Sequence, residues 1–444
     1  MDKLEKLASL TKRRGFIYQC SEIYGGISGM WDYGPLGVEV KKNVKDYWWE
    51  SMVQRKENIV GADGSIIMNP KVWEASGHLD SFSDPLVQCT ECKKRFRADH
   101  VEGENCPECG SELGEKKEFN LLVDAYLGSV EGEKRKVYLR GEITQGAHVN
   151  FKQVINSSRV QVPFGIAQTG KAFRNEITPA KLSFRSREFE QMELQFYVHP
   201  SNAEDWMKKW KQRRLEWYKD IGFNEENIRF RQHEKDEMAH YARDAWDLEY
   251  NLGEEWMEFE GVHNRGDWDL KKHQEHSGKD FEVRDPETGE KFLPWIVETS
   301  GGVDRVTLFL IAEALEEEKL DNGNERTVLK FDPKIAPYKV AVFPLLSNKE
   351  KLVEKAREVY KNLQKEWMVD WDQRGNIGKR YRYQDEAGTK ACVTIDFDTL
   401  EDETVTIRDR DTMEQVRVEL DNLKSALSDL MEGDPIEKLG ELVD

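Results

Sequence analysis

Four cysteines constrain this chain more than any other feature. Cys89, Cys92, Cys106 and Cys109 form C-x2-C-x13-C-x2-C within QCTECKKRFRADHVEGENCPECGSE. Two knuckles at this spacing gather four thiolates for tetrahedral Zn²⁺. Pro107 and Gly110 permit the tight turns that aim backbone N–H groups at sulfur. Two disulfides are the alternative, and they belong to oxidising compartments. Residues 1–14 carry Lys, Arg and Glu without an apolar run, unlike a secretory leader. The expectation is a zinc module over 89–115 in a cytoplasmic protein. Cysteine fills all four positions, so the metal is expected to be structural. Cys20 and Cys392 stand alone and read as packing residues.

At 444 residues the chain is too long for one ordinary core. Lys and Arg number 66 against 85 Asp and Glu, a net charge of −19. That balance argues against a diffuse polyanion binder but leaves room for a local basic surface. No stretch approaches the roughly 20 apolar residues that span a bilayer. A long helix is predicted over 34–58, opened by Gly34-Pro35, with a short strand at 65–68 and a helix at 146–160. Short helix or strand pieces are predicted at 120–127 and 137–140. Strand-like runs follow at 164–168, 171–173 and 190–198, then a basic helix at 205–222 bearing Lys208, Lys209, Lys211, Arg213 and Arg214. Strands at 256–262 and 295–298 and a helix at 304–319 complete an α+β unit on an antiparallel sheet. The prolines of DPKIAP, 332–337, mark a boundary, and the strand–helix alternation beyond it predicts a small α/β domain.

Chemistry concentrates in two stretches. FRNEITPAKLSFRSREFEQMELQFYV, 173–198, interleaves Arg174, Arg185 and Arg187 with Glu176, Glu188, Glu190 and Glu193. Arginine offers a planar fork for phosphate and a flat face for a base. The pattern suits a site that holds a triphosphate and an ammonium group together. It equally suits an exposed, salt-bridged hairpin of little energetic value. PWIVETSGGVDRVTLFLIAEALEE, 294–317, reads as a strand, a Gly301-Gly302 turn and a helix. Asp304 is placed as its N-cap. Arg305 emerges in the first turn, where the helix dipole disfavours a cation, which hints at phosphate. There is no P-loop and no Rossmann fingerprint, so nucleotide chemistry requires another fold.

At these residues the sequence resembles the class II aminoacyl-tRNA synthetases. Residues 174–193 are similar to motif 2, 298–305 to motif 3, and the long helix with Pro70 to motif 1. YGPLGVEVKKNVKDYWW, MNPKVWEASGHLDSFSDPLVQC, KRFRADH, LRGEITQGAHVNF, HEKDEMAHYA, MEFEGV, SGGVDR, GNIGKRYRYQDEAGT and CVTIDFDTLEDETVTIRDRDTMEQV follow the order of the homodimeric glycyl type almost end to end. WEASGH, the four-cysteine module and FEQMEL are specific to that type. The resemblance implies a class II antiparallel-sheet catalytic domain over 1–88 and 116–333, a zinc-ribbon insertion over 89–115, and an α/β anticodon-binding domain over 334–444. It implies ATP-dependent formation of glycyl-adenylate, with Mg²⁺, and transfer of glycine to its tRNA. The partners implied are glycine, ATP, glycine tRNA and a second copy of the chain, with no membrane.

Site roles carry over position by position. Arg174 holds the α-phosphate, Glu176 the adenine amino group, and Arg305 the γ-phosphate or adenine, and these three are the catalytic candidates. Phe184 or Phe189 stacks on the base, and Glu258 with Phe259 holds Mg²⁺ and ribose. Asn175, Arg185, Ser186, Arg187, Glu188, Gly302, Val303 and Asp304 complete the ATP set. The glycine set is Arg97, Glu142, Phe189, Glu190, Gln191, Met192, Glu193, Glu298, Thr299, Ser300, Gly301 and Gly302. A buried carboxylate cluster costs several kcal/mol without a cation, and glycine's ammonium is expected to be that cation for Glu142, Glu193 and Glu298. Two departures from the family, Arg140-Gly141-Glu142 for R-P-E and Glu298-Thr299-Ser300 for E-P-S, lose a φ-restricting proline. The run 371–392 has five basic residues against three acidic ones, with Tyr381 and Tyr383 interleaved. Cations beside aromatic faces suit unstacked bases, although the same run reads as a solvated loop. The resemblance places tRNA contacts at Arg374, Lys379, Arg380, Tyr381, Arg382, Asp385 and Glu386.

Overall fold

The computed structural model describes residues 3–443 apart from 131, 178–181, 235–237, 239–241, 254, 286, 287, 321 and 322. Most of HEKDEMAHYA and residues 178–181 of the motif 2 stretch therefore lie outside the described residues. The core of the larger unit is a seven-stranded sheet. In chain order its strands are β1 (Ile59–Gly61), β2 (Phe164–Phe173), β3 (Glu188–Val198), β4 (Ile228–Gln232), β5 (Asp244–Asn251), β6 (Trp256–Gly266) and β7 (Trp295–Gly302). Their spatial order is β4-β5-β6-β7-β3-β2-β1. Every pair is antiparallel except β1 with β2.

The helix Pro35–Trp49 opens at Gly34 with proline at its first position, where the missing N–H costs nothing. Leu36, Val40, Val44 and Trp48, one per turn, are buried in the main core. The coil continues as a π-type turn over Glu50–Gln54, so the helical run stops short of 58. Gly37 is required by close packing, because a Cβ there would sit 1.9 Å from the Phe16 carbonyl oxygen.

Several expected elements are redrawn. The runs 164–168 and 171–173 are one strand, β2. Residues 65–68 form no strand beyond an isolated bridge between Ile67 and Leu139. The pieces after the cysteine module are strands, Lys117–Asn120, Val123–Leu127 and Arg135–Leu139. Gly301 and Gly302 end β7 rather than forming a turn. The helix after it is Val303–Ala314, and Leu315–Lys319 turns into a strand paired with Glu325–Leu329. Lys330 and Arg326 bind Glu316 and Glu318 across this hairpin, and those pairs override the helical propensity of LEEEK.

The smaller unit has its own core and a six-stranded sheet. Val340–Pro344 lies parallel to Val369–Trp371 and to Ala391–Ile395, and the remaining strands are antiparallel. The helices Glu350–Leu363, Ile377–Ala387 and Leu423–Glu432 accompany the sheet. No helix among the described residues is long and apolar enough to cross a membrane.

Candidate active site

Strand register gathers the site. Glu193 on β3 lies opposite Ser300 on β7, and Ser300 lies opposite Gly261 on β6. In the next row, Gln195, Glu298 and His263 are aligned across the same three strands. Alternation along each strand turns these rows toward one face. A cavity of about 430 Å³ opens there, within the usual size range for a small-molecule site. Of the expected residues, Arg97, Glu142, Arg174, Glu176, Phe184, Arg185, Ser186, Phe189, Glu190, Gln191, Glu193, Glu258, Phe259, Glu298, Ser300, Gly302, Asp304 and Arg305 line it.

Seven expected residues do not line it. On β3, Glu188 is paired with Lys171 and Met192 is buried in the core. Thr299 and Gly301 alternate with Glu298 and Ser300 on β7. Val303 is a core residue. Asn175 donates its backbone N–H to Leu121, and Arg187 donates to the backbone carbonyls of Glu176 and Ser28, so both are engaged in contacts with the backbone. Asp304 is not an N-cap. Gly302 occupies that position, and the Asp304 carboxylate accepts from Tyr33 at 2.6 Å and Lys41 at 2.7 Å.

Arg174 lies past the end of β2, with its guanidinium 5.1 Å from the Phe82 ring and 5.3 Å from the Phe189 ring. Its Nε donates to the Gly141 carbonyl at 3.1 Å. A side chain at 141 would press on Phe82 at 2.9 Å, so glycine here gives that ring its place. Arg140 is buried and donates to the carbonyls of Lys171 and Gly64, which restrains the turn that lacks proline. Across the cavity, Arg305 stacks 4.5 Å from Phe184 and pairs with Glu258 at 3.3 Å. Arg97 is tied to Asp84 at 2.7 Å and to Asp99.

The three buried carboxylates are not equivalent. Burial pushes Glu142 up, but His78 beside it and Arg265 outweigh that and bring it down to about 2. Burial likewise opposes ionisation of Glu298, yet Arg265 at 3.1 Å, His263 at 3.0 Å and the Gln195 amide hold it well below the usual carboxylate range. Among the described residues no cation pairs directly with Glu193, and Arg140 acts on it only through space. Burial, then the charges of Glu298 and Glu142, push it up to about 8. Its partners are neutral: Ser300 and Thr144 hydroxyls at 2.7 Å each and the Gln191 amide at 2.9 Å. Arg265, His263, His78 and Thr144 were not foreseen in the sequence. The one local signal was Arg265 four residues before Asp269, and the two form a buried pair at 2.8 Å.

The four cysteine sulfurs also converge. Cys89 and Cys109 lie 3.5 Å apart and Cys92 and Cys106 3.7 Å apart, all free of disulfides. Sulfurs at ~2.3 Å from a tetrahedral zinc are separated by ~3.8 Å, so the cluster could hold that ion.

Residues 126–367 match the tRNA synthetase class II core domain (G, H, P, S and T), and residues 339–430 match the anticodon binding domain. The chain is 52% identical to the glycine–tRNA ligase of Treponema denticola over 94% of both chains. It is 49% identical to that of Borreliella burgdorferi, over 96% of this chain and 97% of that one. It is 48% identical to that of Clostridium acetobutylicum, over 96% and 98%. The chain belongs to the glycine–tRNA ligase family.

In this family member the run 371–392 is not a loop, because Ile377–Ala387 is helical, capped by the Asn376 side chain and closed at Gly388. The structure divides the expected tRNA residues. Arg374 and Lys379 are exposed, and Arg382 is partly so. Arg380 is buried and donates to the carbonyls of Pro344, Gln373, Arg374 and Gly375, so it holds the loop before the helix. Tyr381 is half-buried, its hydroxyl 2.8 Å from Thr394. Glu386 binds Arg13 and Arg14 of the N-terminal helix. Asp385 is buried between Arg408 at 2.9 Å and Arg326 at 3.3 Å, and so joins the two units. Replacing Asp385 by Ala should destabilise the protein by about 3–5 kcal/mol, because two buried arginines lose their counter-ion. Chemical denaturation reads this out, and a change below about 1 kcal/mol would refute a structural role for Asp385. The charge of the basic helix reads as a second candidate for the RNA backbone or as a plain solvated face, but Arg214 is buried against Glu260 and so belongs to neither.

Proposed function

We propose that the chain activates glycine with ATP and transfers it to the 3′ end of glycine tRNA. Charge balance in the pocket supports this most directly. Cations hold Glu142 and Glu298 ionised, whereas Glu193 has no paired cation among the described residues and, with only the through-space charge of Arg140, stays protonated near neutral pH. An incoming ammonium group completes the set. Glycine's carboxylate oxygen then attacks the α-phosphorus and pyrophosphate leaves. A ribose hydroxyl of the tRNA next attacks the acyl carbon and AMP leaves. Such steps need positioning and charge neutralisation more than covalent help. Arg174 and Arg305, each stacked on an aromatic ring on the cavity wall, are suited to phosphate. Glu176 and Phe184 are assigned to adenine.

Glu258, a half-exposed carboxylate on the cavity wall, would hold Mg²⁺, which keeps most of its ligands as water and phosphate oxygens. Mg²⁺ would neutralise triphosphate charge. The cysteine cluster is assigned structural Zn²⁺. Residues 1–88 and 116–333 are the catalytic domain, 89–115 the zinc insertion and 334–444 the anticodon-binding domain, with Arg374, Lys379 and Arg382 as tRNA contacts. A homodimer paired through the long helix, in the cytoplasm, completes the proposal. The test is aminoacylation of a glycine tRNA transcript alongside an exchange panel over amino acids. Glycine alone should drive ATP–pyrophosphate exchange and appear on the tRNA. Exchange driven by another amino acid, or no charging of native tRNA, would overturn the assignment.

A further inference from the structure

A second set of metal-type donors, apart from the cysteines, adjoins the cavity at His263, which lines it. His233 follows β4, Asp247 is on β5 and His263 is on β6, and their ligand atoms all lie within 4.8 Å of one another. His233 Nε2 is 2.6 Å from Asp247 Oδ2, and His263 Nε2 is 3.8 Å from Asp247 Oδ1. Gly261, opposite Asp247 in the sheet, leaves the space: a Cβ there would stand 2.6 Å from the His263 ring.

The His263 ring has a fixed orientation. Its Nδ1 is 3.0 Å from Glu298 Oε2, which turns Nε2 toward Asp247. That Nε2 is enclosed and, among the described residues, has no hydrogen-bond partner within reach. An enclosed polar atom without a partner is costly, unless the site takes something that satisfies it. A carboxylate on the far nitrogen of an imidazole is the common outer support of a metal-binding histidine, fixing its tautomer and raising its basicity. Two imidazoles and one carboxylate match the Zn²⁺ class of ion, whereas Mg²⁺ and Ca²⁺ favour oxygen throughout. Arg231, 3.3 Å from Asp247, and Arg265 on Glu298 add positive charge nearby and moderate the affinity.

We propose that His233, Asp247 and His263 form a divalent transition-metal site of the Zn²⁺ type. It is separate from the four-cysteine cluster and joined to the candidate glycine pocket through Glu298. The donor set stands independently of the glycine assignment, and so does its test. The full-length protein is first loaded with one equivalent of Zn²⁺ at the cysteines, then titrated with Co²⁺ by equilibrium dialysis and visible absorption. A second equivalent should bind, giving ligand-field bands without the thiolate charge-transfer absorption that a cysteine site shows. Asp247→Asn and His263→Gln should weaken that second equivalent by about tenfold or more while the first stays bound. His233→Ala, at the margin of the sheet, serves the same purpose if either buried variant fails to fold. Uptake of only one equivalent by the parent protein would overturn the site, and would mean that the histidines simply hydrogen-bond the two carboxylates. So would a second equivalent that all three variants retain.

Discussion

Replacing Glu193 by Gln should make the free protein more stable and its use of glycine far worse. The amide keeps the size and hydrogen-bonding reach of the side chain, toward Ser300, Gln191 and Thr144. It removes the like-charge conflict with Glu298 and Glu142. The sign with pH follows from the folded carboxyl being raised from 4.5 to about 8. Below about 4.5 the carboxyl is protonated in both states and the amide confers no advantage. As pH rises toward 8, the folded parent must keep a proton that the unfolded chain releases, so parent stability declines. The variant's advantage therefore grows across this window to about 1–3 kcal/mol near pH 7. The Michaelis constant for glycine should rise about 10- to 150-fold, the equivalent of losing a hydrogen bond to a charged group worth about 1.5–3 kcal/mol. Denaturation at pH 4.5 and 7.5 and glycine-dependent pyrophosphate exchange measure the two effects. Equal stability at both pH values, or an unchanged Michaelis constant, would show that Glu193 is not the vacant anionic partner. Glu298→Gln should also raise the constant, but with loss of stability, since Arg265 and His263 lose their counter-ion.

Arg174→Lys should lower kcat for pyrophosphate exchange by about 10²–10³-fold, the range for losing one preorganised donor to developing charge. Lysine keeps the charge but not the planar fork, the contact to Gly141 or the sandwich between Phe82 and Phe189. Glycine's Michaelis constant should stay within about threefold, because among the described residues Arg174 makes no hydrogen bond or ion pair to the three pocket carboxylates. Steady-state exchange with varied glycine separates the two parameters. A kcat within about threefold of the parent would move the phosphate role elsewhere on the cavity wall.

Much of this site was legible before any coordinates. The cysteine spacing, the motif 2 arginines and the Glu298-to-Arg305 stretch identify themselves by residue type over short distances. Charge patterns misled where a charge is buried. Arg380 stands in the basic run, and the resemblance alone adds Asp385 as a tRNA contact, yet Arg380 is buried on backbone carbonyls and Asp385 between arginines. β5 has little strand signal in the sequence, since it carries Asp247 and Glu249, both buried beneath His233 and the arginines of β4. Leu315–Lys319 carries helix-forming residues, but cross-strand ion pairs made it a hairpin.

The sequence by itself determined the family, the reaction class and the set of carboxylates and arginines available for it, since these depend on which residues stand close together along the chain. Only the tertiary structure decided which carboxylates are paired with cations and which is held protonated by its neighbours. Arg265 and His263 sit on β6, Glu298 on β7, Glu193 on β3 and His78 far upstream of them all. Electrostatic compensation is a sum over distances in space, and the strand register that sets those distances is not written in any one segment.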